Sequence, residues 1–232
     1  MQHPIVTYMD LGRIAYQDAW NKQTDLFNVI IEQKLRNRSM PHEPTPNFLL
    51  FCEHNPVYTL GKTGKMHHLL LNEVAMQDQG IEFFHINRGG DITFHGPGQL
   101  TGYPIFDLDN FKTDIHYFMR TMEEAMIAVL KRLNIHGSRI DGLTGVWIDA
   151  NIPSMARKIC AMGVHTSRWV TMHGFGLNVN TDLSYFNKIV PCGIMDKGVT
   201  SIEKELGHAV DMNQIKLWVK EEFAKAFEFD WA

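Results

Sequence analysis

Between Arg88 and Pro104 the chain reads RGGDITFHGPGQLTGYP, five glycines and two prolines set among polar residues between two runs that read as buried strands. Glycine lacks the Cβ that keeps another backbone or a ligand away, and it tolerates positive φ. Gly89, Gly90, Gly96, Gly98 and Gly102 therefore predict a surface shaped for close approach. A second such stretch, from Ala156 to Gly193, carries Lys158, His173 and Cys192, and we read the two stretches as meeting at one site.

Composition removes several classes of function. With 44% hydrophobic and 21% charged residues, a chain of 232 residues has the balance of an ordinary globular domain. No apolar run approaches the ~20 residues needed to cross a bilayer, so no membrane association is expected. A net charge of −4 argues against a nucleic-acid partner, which calls for a basic stripe. The opening MQHPIVTYMDLG lacks the basic and apolar blocks of a signal peptide and the Arg and Ser bias of a transit peptide, which places the chain in the cytoplasm. Three cysteines, Cys52, Cys160 and Cys192, without CxxC spacing indicate neither a disulfide framework nor a structural zinc site. Adjacent His67 and His68, read on a strand, point to opposite faces and do not share a metal. No metal and no cofactor are expected.

Periodicity supplies the elements. A short strand near Ile5–Met9 leads into an amphipathic helix over 13–38, ended by the loop through Pro41, Pro44 and Pro46. Apolar runs at 47–53, 56–60 and 81–86 read as strands, with a helix over 72–79 closed by Gly80. The glycine-rich stretch continues as strand, bend and strand into Phe106. Thr113 or Asp114 caps a second long helix, whose stripe from Ile115 to Leu133 stops before Gly137. Residues 145–149 and 156–164 read as a hairpin and 172–178 as a further strand, with Lys158, Cys160 and Met162 on one face. Thr200 with Glu203 fits a capping box for a helix over 201–206, and Asp211 caps the last helix. Helices before, between and after strands of mixed order predict an α+β fold, one domain spanning 1–232 with a mixed sheet flanked by helices.

The motifs of several enzyme classes are missing. There is no GxxxxGK[ST] phosphate loop, no GxSxG elbow and no HExxH pair. Glycine-rich strands interleaved with Ile92, Phe94, Leu100 and Phe175 suit a neutral or apolar ligand. Cys192, in VPCGI, stands between a proline that stiffens the approach and a glycine that frees the exit, as a thiol held on a turn would. A nucleophilic cysteine works as the thiolate and needs a cation or base nearby. Lys158, among Ile159, Cys160, Ala161 and Met162, is a charge in apolar company, which is either paired, snorkelling or functional. His95 and His173 each precede a glycine and read as structural or catalytic. Arg88 serves either to hold a carboxylate or carbonyl dipole or to tie down loop carbonyls. Residue chemistry alone thus reaches a ligand-binding α+β domain with a candidate Cys and Lys pair.

The ordered strings RGGDITFHGPGQLTGYPI, GVW, RKICAMGV, HGFGLNVNTDLSYFNKIVPCGI and VTSIEKELG, spread from about Leu49 to Leu206, closely resemble the lipoyl(octanoyl) transferases, also called lipoate biosynthesis protein B. The resemblance implies the fold of the biotin and lipoate protein ligase catalytic domains. It also implies an acyltransferase that moves an octanoyl group from octanoyl-acyl carrier protein to the ε-amine of a lysine on a lipoyl domain. The implied acceptors are the lipoyl domains of 2-oxoacid dehydrogenase E2 subunits and the glycine cleavage H protein. On the same ground Cys192 carries the acyl group as a thioester and Lys158 lowers the thiol pKa. Arg88, Gly89, Gly90, Asp91, Ile92, Thr93, Phe94 and His95, with Ala161, Met162, Gly163, His173, Gly174 and Phe175, line the acyl site. Cys160 departs from the family pattern, where a small residue is usual, and is read as pocket wall beside Lys158. The alternatives are an ATP-dependent ligase of the same fold and a non-catalytic acyl or lipoyl-domain binding module.

Overall fold

The computed structural model of the chain describes residues 3–40, 43–190 and 197–232, so Pro41 and Cys192 lie outside the described residues. In chain order the elements are β1 (Ile5–Ile14), α1 (Tyr16–Arg36), β2 (Asn47–His54), β3 (Val57–Leu60), α2 (Glu73–Asp78), β4 (Glu82–His85), β5 (Ile92–His95), β6 (Gln99–Ile105), α3 (Ile115–Arg132) and β7 (Gly137–Ile140). They continue with β8 (Leu143–Ile148), β9 (Arg157–Ser167), β10 (Val170–Asn178), β11 (Gly198–Val199), α4 (Ile202–Leu206), α5 (Met212–Phe227) and β12 (Asp230–Trp231).

β2 shows why the domain has layers. Leu49 and Phe51 pack on one face and Leu50 and Cys52 on the other, all fully buried. A strand that is apolar on both faces needs a cover on each. The first face lies under α3 and α5, where Met122, Met126, Val219 and Phe223 complete the main core. The second lies under α1, through Ala19, Leu26, Ile30 and Ile31. Met122 and Met126 of α3 are core, as their helical spacing predicts, and Met119 packs against it half-buried.

Among the described residues the main sheet runs β12-β1-β2-β6-β10-β9-β8-β7, with β11 on β9. β1 lies parallel to β2 and to β12, whereas β2, β6, β10, β9, β8 and β7 pair antiparallel in turn, so the sheet is mixed. A smaller sheet, β4-β3-β5, has its own core around Tyr58, Leu60, Ile92 and Phe94. The result is one α+β domain with mixed sheets flanked by helices, as expected.

Four local expectations need correction. β1 runs on to Ile14 through an irregularity between Asp10 and Arg13, so α1 starts at Tyr16 and not at Arg13. Helix α3 is followed by Asn134 at φ 57, and Gly137 opens a strand, β7, that was not foreseen. Helix α4 is capped by Ser201, which accepts from the Lys204 amide, while the Thr200 hydroxyl goes to Glu205. His67 and His68 lie in a 3₁₀ turn, Met66–His68, and not on a strand. Their rings are 4.5 Å apart, and His68 is spoken for by Asp91.

At Gly174 the close approach foreseen for a glycine is backbone against backbone. A Cβ there would lie 2.2 Å from the Gly102 carbonyl oxygen and 2.6 Å from Pro104 Cδ. Gly174→Ala is expected to cost ~3 kcal/mol, because β6 and β10 are both interior strands with no room to part. A urea unfolding midpoint unchanged from the parent protein would contradict this.

Candidate functional site

Between the small sheet and the main sheet lies a cavity of about 540 Å³, part of it open to solvent. From β5 and the loop before it come Arg88, Gly90, Asp91, Ile92, Thr93 and His95; from β9, Lys158, Ala161, Met162 and Gly163; from β10, His173, Gly174 and Phe175. The two stretches singled out in the sequence therefore meet. Gly89 and Phe94 do not line this space. Strand alternation turns Phe94 away from Thr93 and His95, and its ring stacks on Tyr185 at 4.4 Å in the small sheet's core. Gly89 donates its amide to the Val164 carbonyl and borders a neighbouring groove. Tyr16, Thr101, Tyr103 and Gly176 line the cavity as well and were not anticipated. Tyr16 lies on the apolar face of α1, where helical periodicity alone reads it as core. Gly176, two residues after Gly174 on the same strand, carried a signal that alternation makes readable.

The placement of Lys158 depends on a β-bulge. Val146 pairs with Cys160, yet Trp147 pairs with Lys158 and Ile148 with Arg157, which leaves Ile159 as one residue too many on β9. Gly145 makes room on the partner strand. It sits at φ +111, and a Cβ there would lie 2.5 Å from the Cys160 carbonyl oxygen. Across the bulge the alternation slips. Ile159 and Cys160 both turn into the main core, fully buried, while Lys158 joins Ala161 on the cavity side. The shared face expected for Lys158, Cys160 and Met162 does not survive this, and Cys160 is core, not pocket wall. Burial, helped by the Glu123 carboxylate, pushes the Cys160 thiol well above its ordinary range despite the opposing effect of Lys158.

Arg88, which lines the cavity, also ties down backbone. Its guanidinium donates to the Thr59 carbonyl at 2.8 Å, to the Thr59 hydroxyl at 3.1 Å and to the Gly89 carbonyl at 3.0 Å. Asp91 likewise holds backbone: Oδ1 accepts from the Ile92 amide at 2.7 Å and from the Lys65 amide at 3.3 Å. Together they tie the glycine loop to β3 and to the 3₁₀ turn, which shapes the wall.

Three buried imidazoles, His95 and His173 in the cavity wall and His54 behind Tyr103, are held neutral. His54 Nδ1–H donates to the Ile14 carbonyl at 3.0 Å, so its Nε2 accepts the Tyr103 hydroxyl at 2.6 Å. Gln99 donates to the Phe94 carbonyl and to Asn178 Oδ1, which orients its amide so that Oε1 accepts from His95 Nδ1 at 2.7 Å. His173 sits at φ 63 in mid-strand, an uncommon state for a residue with a Cβ. It is pinned by its amide to Gln23 Oε1 at 3.1 Å and by Nε2–H to Asn87 Oδ1 at 2.7 Å. Burial is the main cause that lowers these groups, His54 to about 4 and His95 and His173 to about 3.

Among the described residues no group of His, Cys, Asp and Glu is arranged to hold a metal, and no helix is long and apolar enough to cross a membrane. Residues 25–224 match the family model for the lipoyl protein ligase A/B catalytic domain. The chain is 59% identical over 222 residues to an octanoyltransferase of Cytophaga hutchinsonii, covering 94% of this chain and 91% of that one. An octanoyltransferase of Flavobacterium johnsoniae is 52% identical over 225 residues, covering 96% and 97%. In fold the chain is similar to a bi-partite lipoate protein ligase of Thermoplasma acidophilum, studied with its E2 lipoyl domain, at a TM-score of 0.70, 18% identity and coverage of 99% and 86%. It is also similar to a lipoate-protein ligase A bound with ATP, at a TM-score of 0.67, 18% identity and coverage of 100% and 88%.

Proposed function

We propose, from the premise that this chain belongs to the octanoyltransferases of the lipoyl protein ligase A/B family, that it takes its acyl group from a carrier-protein thioester and holds it on Cys192 before delivery. Octanoyl transfer in protein lipoylation follows from the family; donor, intermediate and acceptor are our reading. The thiolate of Cys192, favoured by the Lys158 ammonium, attacks the thioester carbonyl of octanoyl-acyl carrier protein. The carrier's sulfur leaves and takes a proton from Lys158. A neutral lysine ε-amine of a lipoyl domain, on an E2 subunit or the glycine cleavage H protein, then attacks the acyl-enzyme. Lys158 accepts the proton that this nitrogen sheds, and the Cys192 thiolate departs. Each sulfur–carbon bond broken is matched by one bond formed, so no external energy is needed.

One observation carries this reading: the bulge turns Lys158 out of the core and onto a cavity walled by Ile92, Ala161, Met162 and Phe175. An octanoyl chain has no polar handle beyond its thioester, and such a wall suits it. We further propose that 1–232 act as one catalytic unit working in the cytoplasm. The test is transfer to an apo lipoyl domain with octanoyl carrier protein as sole donor, with and without ATP and magnesium. Equal rates are expected. Transfer that occurs only with ATP and free octanoate would establish a ligase instead.

A further inference from the structure

Trp147 is the cross-strand partner of Lys158, and the bulge that sends Lys158 toward the cavity also sets it against this ring. The Lys158 Nζ stands 4.6 Å from the ring centroid. The indole is 2% exposed, and its N–H is buried with no hydrogen-bond partner among the described residues. A buried indole ordinarily finds an acceptor, so the orientation of this one is set by what its face meets. The ring also borders a second cavity that adjoins the first and shares Ile92, Thr93, Lys158 and Ala161 with it.

We propose that Trp147 is a positioning residue whose π face holds the Lys158 amine at the junction of the two cavities. A lysine side chain has four flexible bonds and strays from a reacting centre unless something fixes it. The face of an indole attracts an ammonium most strongly of the aromatic side chains, and more so where water is excluded. The ring thus holds the charge beside the cavity. The proposal rests on the reading of Lys158 given above.

The experiment compares Trp147→Leu and Trp147→Phe with the parent protein, each checked for folding by circular dichroism and melting. Trp147→Met, which fills the space without a π face, replaces the leucine variant if that one does not fold. Two quantities are read. The first is the rate at which acetic anhydride labels Lys158 at neutral pH, followed by peptide mass spectrometry. The second is the split of octanoyl transfer between kcat and KM. Leucine is expected to raise labelling ~5-fold and lower kcat ~20-fold with KM within about twofold, while phenylalanine restores both to within about threefold. Parent-like labelling in the leucine or methionine variant overturns the proposal, whatever the turnover. Raised labelling with unchanged kcat leaves the contact standing and removes Lys158 from the reaction instead.

Discussion

Alanine in place of Cys192 is expected to lower octanoyl transfer by roughly 10⁴-fold or more and to abolish any covalent adduct, as loss of a nucleophile does elsewhere. The other thiols make the expectation sharp. Cys52 and Cys160 are free but fully buried, one under α1 and the other in the main core. Burial pushes both thiols well above the range in which a thiolate exists at neutral pH. Neither lines the cavity. Cys160→Ala is therefore expected to keep transfer within ~3-fold, at the modest stability cost of a small void. Intact-mass measurement after incubation with octanoyl carrier protein reads the adduct, and peptide mapping at mildly acidic pH locates it. An octanoyl group on the Cys160 peptide, or full turnover in Cys192→Ala, would sink the assignment.

A second large effect is expected in acid. In the unfolded chain His54, His95 and His173 take up protons near pH 6.5, whereas folding holds them to about 4, 3 and 3. Below pH 6.5 the unfolded state binds more protons, so these residues contribute their full stability only above that pH. The contribution is lost as pH falls toward the folded values. Each histidine costs ~1.4 kcal/mol between about pH 7.5 and 5.5, so the three together remove ~4 kcal/mol, a large part of a typical domain's ~5–15 kcal/mol. Urea unfolding at a series of pH values tests this directly. A free energy of unfolding that stays level from pH 7.5 to 5.5 would show that the imidazoles are already charged in the folded protein.

Much of the fold was legible because its signals are local. The stripe in α3, the cap at Asp114 and the apolar run at Asn47–His54 are each decided by residues a few positions apart. The site was legible to the extent that it follows alternation and glycine, which is why Thr93, His95, Ala161, Gly163, His173 and Gly174 fall on one cavity. What escaped depends on distant partners. Nothing between Lys158 and Met162 announces an extra residue at Ile159; the slip exists only against β8, and Gly145 was its sole local hint. Tyr16 and Tyr103 look like core because they are core on most sides. The bond from Arg88 to the Thr59 carbonyl spans 29 residues and has no local signal.

The residues that line the cavity differ in burial, and on the proposed reading the difference bears on acyl length. Lys158, Met162 and Gly163 are half-buried, while Tyr16, Thr101 and Tyr103 are buried. A short chain seated there forfeits only apolar contact, ~0.8 kcal/mol or about fourfold in affinity for each missing methylene. A long one meets rings that cannot yield, since Tyr16 stacks on His95 and Tyr103 is tethered to His54. Forcing extra carbons into such packing costs ~1–3 kcal/mol at the first step and more thereafter. On the proposed reading, discrimination is expected to be lopsided: preference declines gently below the optimal length and breaks off abruptly above it.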